Sequence, residues 1–162
     1  MYLLAGIAIG VLGLITQPLW ARLSDRIGRR PVFATSMLLS AALLFVFFPA
    51  LASANTVYWL AALVALALVS TGANAVGASF YTEMFPTRVR YTGAALGTQL
   101  GFIVAGFAPT IMTALQGPGT GGWIGPVVFA ASCLVIAAAT AWSAKETAKT
   151  DLHELGEKPL TA

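Results

Sequence analysis

Two short runs hold most of the reactive side chains of this chain. The first reads Ala21-Arg22-Leu23-Ser24-Asp25-Arg26-Ile27-Gly28-Arg29-Arg30-Pro31. Its arginines can bond carboxylates bidentately. Asp25 can face the positive end of a helix, an interaction of about 0.3–1 kcal/mol and up to about 2 when partly buried. Gly28 can take backbone angles closed to other residues. The second run reads Tyr81-Thr82-Glu83-Met84-Phe85-Pro86-Thr87-Arg88-Val89-Arg90-Tyr91-Thr92-Gly93. Glu83 calls for a basic partner, and Arg29, Arg88 and Arg90 are the candidates; a solvated Glu83 is the plain alternative. Polar contacts of this size bias two conformations without locking either. That chemistry is a gate, not bond-making catalysis.

Catalysis has little to stand on. The sequence offers no nucleophile–base pair, metal cluster or phosphate loop. Cys133 is the one cysteine and lies in an apolar block, so no internal disulfide and no zinc spacing exist. His153 sits in a polar tail with no partner at metal-ligand spacing. The reading is therefore no enzyme, no metal and no cofactor. The net charge of +3 comes from few basic residues beside apolar blocks, which speaks against a nucleic-acid partner.

The elements that must position these runs are membrane helices. Hydrophobic residues make up 58% of the 162 residues and charged ones 9%, against about 25% charged in ordinary soluble domains. Five apolar blocks stand out, at about 1–20, 32–52, 57–80, 92–115 and 123–142. Each is long enough to cross the hydrocarbon core, where helix is the open-chain solution that satisfies the backbone. Pro86 ends the third block, since proline cannot donate to continue a helix.

Ser53-Ala54-Asn55-Thr56 and Gln116-Gly117-Pro118-Gly119-Thr120-Gly121-Gly122 link the second to third and fourth to fifth blocks without charge. The other two loops and the tail hold every charge. The basic excess makes that side cytoplasmic, so the chain is expected to start outside and end inside. Residues 1–144 then form a transmembrane bundle and 145–162 a polar cytoplasmic tail. Trp20, Trp59, Trp123 and Trp142 fall at block ends, where an amphipathic indole suits the interface. An odd span count beginning outside suggests the back end of a longer protein.

Inside the spans the informative residues are uncharged. Asn74 and Gln99 need hydrogen-bond partners in lipid, from another helix or from a water-filled cavity; Gln17, Thr71 and Thr16 are weaker cavity candidates. Gly93, Gly97 and Gly101, continued by Ala105, put small residues on one face and allow close helix packing. Pro109 is a kink candidate. No Asp, Glu, Lys, Arg or His lies within a span, so a proton-carrying group, if the protein uses one, is expected outside this portion.

The first run resembles the cytoplasmic loop signature of the major facilitator superfamily, G-x-L-[AS]-D-[RK]-x-G-R-[RK], with Ala21 in place of the first glycine. The second resembles that superfamily's E-x-F-P-T-x-x-R-x-x-G loop. Phe85-Pro86-Thr87-Arg88-Val89-Arg90-Tyr91-Thr92-Gly93 is most similar to the metabolite:proton symporter branch, which carries shikimate, osmolytes and organic acids. The resemblance implies an all-α membrane protein whose five spans are helices eight to twelve, part of the C-terminal six-helix bundle. It implies secondary transport of a small polar metabolite by alternating access, coupled to protons, in a plasma membrane such as a bacterial inner membrane. The partners implied are the metabolite, protons, the lipid bilayer and the N-terminal part of the carrier. It also implies that the first, third and fourth spans surround a polar face with the second and fifth outside; the free backbone donors at the start of the fourth span are expected to draw Asp25 to Tyr91–Gly93. A small autonomous membrane scaffold is the alternative function.

Overall fold

Five apolar blocks require five helical rods, and the computed structural model supplies them, describing residues 2–53, 55–119, 121–144 and 146. In chain order the helices are α1 (Tyr2–Ile27), α2 (Arg29–Ala52), α3 (Thr56–Glu83), α4 (Arg90–Gly106), α5 (Ala108–Ala114) and α6 (Ile124–Ser143). α4 and α5 are two halves of the fourth span, 25 residues end to end. Four segments, α2, α3, α4–α5 and α6, are long and apolar enough to cross a membrane. α1 adds 26 residues, uncharged as far as Arg22. The chain is an all-α, multi-pass membrane protein, as its composition implies.

The first turn is tighter than the block boundary suggests. The helix expected to end at position 20 runs on to Ile27, so most of the first charged run is helical. Continuing the helix keeps its backbone groups paired at the membrane face. Ser24 turns inward while Arg22, Asp25 and Arg26 stay exposed. One residue then reverses the chain. Gly28 has φ 117° and ψ 153°, a region reserved for glycine, and donates its N–H to the Ser24 carbonyl at 2.9 Å.

The break in the fourth span falls at Phe107. Pro109, two residues on, has no N–H for the Ala105 carbonyl, and the Phe107 N–H bonds Val104 in a tighter turn at 3.1 Å. At the uncharged end, Asn55 caps α3 by accepting from the N–H groups of Val57 and Tyr58 at 3.1 and 3.2 Å. Trp123 stacks on Phe48 there, with centroids 6.3 Å apart.

The core is Val32 and Phe33 of α2, Ala73, Val76 and Phe80 of α3, and Ala141 of α6. Phe33 and Phe80 lie 5.5 Å apart. Trp20 packs against this core and donates its indole N–H to the Leu68 carbonyl in mid-α3 at 2.9 Å. Because α1 continues beyond it, Trp20 is a helix-packing residue and not the interfacial residue expected. Gly72 permits that approach: a Cβ there would run into Ser36 Oγ and come within 3.0 Å of the Trp20 ring.

Within the described residues α2 contacts α1, α3 and α6, while α3 joins α1 to α4. α4 touches α3 and α5 alone and has no buried residue. Its glycines and alanines present little area for burial against the described helices. Positions 145 and 147–162, with His153 and most of the polar tail, lie outside the described residues.

Candidate functional site at the charged end

The ends of α1, α3 and α6 and the starts of α2 and α4 gather at one end of the bundle. Arg29, the first residue of α2, forms an ion pair with Glu83, the last residue of α3. The side chains are 20% and 10% exposed, so the pair is largely withdrawn from water and is screened little by salt. Of the three candidate arginines for Glu83, the structure selects the one from the other run. Core packing of α2 on α3 through Phe33 and Phe80 sets the two helix ends side by side.

Glu146 is the residue that sequence reasoning missed. It follows α6 and lies across the first turn of α2. Its carboxylate accepts from the backbone N–H groups of Arg29 at 3.0 Å and Arg30 at 3.1 Å. The first amides of a helix have no internal partner and attract negative charge. Gly28 is needed for this contact as well, since a Cβ would sit 2.7 Å from Glu146 Oε2. An acidic residue just beyond a span was the one available signal, and it is ambiguous without the helix crossing. Arg30 lays its guanidinium over the Trp142 ring, 4.9 Å from the centroid.

The remaining charges are distributed differently. Asp25 is exposed and borders a notch of 40 Å3 with Ser24, Arg29 and Ser79, beside α3. It does not approach Tyr91–Gly93, because α1 and α4 do not touch. Single-residue reversal at Gly28 holds Asp25 on the α1–α3 side. Arg26 and Arg88 are exposed. Arg90 donates Nε–H to the Phe85 carbonyl at 3.3 Å, closing the turn between α3 and α4.

A groove of 570 Å3 opens from this end along α3 and α4. Asn74, Tyr81, Met84 and Phe85 line one wall, and Gly97, Thr98, Gly101 and Phe102 the other. Asn74 reaches it, with only a long bond to its own helix, Nδ2 to the Ser70 carbonyl at 3.4 Å. Gln99 and Gln17 are exposed, and neither lines the groove. Thr71 and Thr16 turn their hydroxyls onto helix carbonyls, Ala67 at 2.6 Å and Leu12 at 3.0 Å. Gly93 packs under the Phe85 ring, but nothing lies within 4 Å of a Cβ at Gly97 or Gly101. The glycine stripe therefore opens space at two of its three positions. No charged side chain lines the groove.

Comparison with known proteins agrees with this layout. The sugar (and other) transporter family matches residues 2–158. The shikimate transporter of Escherichia coli K12 is 32% identical over 150 residues, covering 91% of this chain and 34% of that protein. The proline/betaine transporter of the same strain is 38% identical over 108 residues, 65% of this chain and 21% of that protein. The glycine betaine/proline/ectoine/pipecolic acid transporter of Dickeya dadantii 3937 is 32% identical over 109 residues, with the same coverages. The chain thus spans about a third or less of the curated relatives it matches. No solved structure matches it. With two charged runs joined through Arg29 and Glu83 and helices matched almost throughout, this chain belongs to the sugar (and other) transporter family of the major facilitator superfamily, whose members are transporters and not enzymes.

Proposed function

We propose that this chain forms part of the C-terminal half of a secondary carrier that moves a small polar metabolite by alternating access, coupled to protons. In this reading the charged end faces the cytoplasm of a plasma membrane, bacterial inner membrane in type, where basic loops are retained. The rest of the carrier is its partner. The observation that carries the proposal is the Arg29–Glu83 pair, which ties the two runs from two helices into one charged layer. Asp25, Arg26, Gly28, Arg30, Arg88 and Arg90 complete that layer as gate residues. Contacts each contributing a kcal/mol or so hold one side shut and part when the carrier opens. The uncharged groove beside Asn74 is the path for substrate, and the metabolites named for the relatives, an organic acid and zwitterions, are the classes to try.

The test is uptake into proteoliposomes by the full-length carrier containing this chain, with shikimate, proline and glycine betaine as substrates. Accumulation driven by an inward proton gradient, weakened in Glu83→Gln and Asp25→Asn at normal expression, is the expected result. Accumulation indifferent to the gradient would remove the proton coupling, and full activity in both variants would remove the gate.

A further inference from the structure

α2 and α6 leave a second groove, of 330 Å3, lined by Ala34, Leu38, Val135, Ala138, Ala139 and Trp142. It shares no lining residue with the first groove, and of the gate residues Arg30 alone stands at its mouth. Its shape follows from helical spacing. Ala34 and Leu38 are four residues apart on α2, and Val135, Ala138, Ala139 and Trp142 fall on one face of α6. Ala34 and Ala138 form a buried floor, while Leu38 and Val135 stand as half-exposed walls. From Arg30 to Leu38 is eight residues, about 12 Å of helix. That approaches the depth of one leaflet of a hydrocarbon core about 30 Å thick.

The mouth is cationic and aromatic. Trp142 is half-exposed there, and the Arg30 guanidinium, four residues before Ala34, lies over its ring. Glu83 pairs with Arg29, and Glu146 is bonded to the backbone amides of α2. The Arg30 guanidinium lies over the Trp142 indole at the groove's mouth. The lining is apolar along its length, as a hydrocarbon chain requires.

We propose that this groove is a binding site for an anionic phospholipid of the leaflet at the charged end. One acyl chain lies between Ala34, Leu38, Val135 and Ala139, the glycerol region rests at Trp142, and the phosphate meets Arg30. A guanidinium takes a phosphate through paired N–H donors. A zwitterionic headgroup brings its own cation and gains less.

Native mass spectrometry of the chain, purified in detergent with phosphatidylglycerol or phosphatidylcholine, reads out the site. Wild type should retain phosphatidylglycerol preferentially. Arg30→Gln should lower that preference about fivefold, the effect of one basic residue at an anionic surface. Arg26→Gln removes the same charge from an exposed position away from the groove and should leave the preference intact. Ala139→Phe, at an exposed position, should fill the slot and lower retention of both lipids. Equal losses in Arg26→Gln and Arg30→Gln, or wild-type retention in Ala139→Phe, would overturn the proposal. Lipid retention is measured without transport, so it stands or falls separately from the gate.

Discussion

Arg29 and Glu83 each make sense only in the other's presence. Removing one weakens the compensation of the other charge in a largely dehydrated layer, and that penalty is usually larger than the net worth of the pair. Arg29→Gln and Glu83→Gln should each cost about 2 kcal/mol in unfolding titrations of the chain in micelles, and the double variant should cost clearly less than the sum. Additive losses would show that the two side chains act independently. Gly28→Ala should cost a further 1–3 kcal/mol or so, because it forces a side chain into a glycine-only region and crowds Glu146. At this scale the sequence singled out Asp25, Gly28, Arg29 and Arg30 by spacing, and the structure sets Arg29 against Glu83 and turns the chain at Gly28. Glu146 was not singled out, because its partners are backbone amides 116 and 117 positions earlier. Trp20 was misread as interfacial because the end of α1 could not be placed from hydropathy, which drops at the first arginine although the helix continues.

Elements were legible as spans and obscure as neighbours. Five apolar blocks gave five rods, since lipid leaves the backbone no alternative. Which rod lies at the centre depends on side-chain relief, and here Phe33 against Phe80 and the close approach at Gly72 favour α2 and α3. Gly72→Leu should separate α1 and α2 from α3 and lower stability by about 1–3 kcal/mol, measured by the same titration. The fourth span offers a different test. Pro109→Ala restores an N–H opposite the Ala105 carbonyl and should fuse α4 with α5. Amide exchange around residues 105–109 should then slow, whereas unchanged exchange would assign the break to Gly106 and Phe107 instead.

The whole molecule is polarised: one end is charged and the other is closed by uncharged caps such as Asn55. If the charged end is cytoplasmic, Asn55→Cys and Gln116→Cys in a Cys133→Ser background should be labelled by an impermeant thiol reagent added outside cells. Arg26→Cys in that background should not be. The opposite pattern would invert the topology. Charge distribution made the polarity visible in advance. The asymmetry of packing was hidden, because the fourth span, the least apolar of the four at a mean hydropathy of 1.4, still reads as a span, and the lack of buried residues in α4 is a property of the described set of helices.

The bond from Glu146 to the first turn of α2 also sets an order in time. At 5–20 residues per second, a ribosome needs roughly 6–23 s to travel the 116 residues from Arg30 to Glu146. Throughout that interval α2 is already made while the carboxylate that caps it has yet to be synthesised. Nascent chains stalled before this codon should therefore carry an uncapped, protease-accessible reversal at Gly28, and extension past Glu146 should close it in one step. The cap on α2 is in this sense a late contact, formed only after α6 has been made.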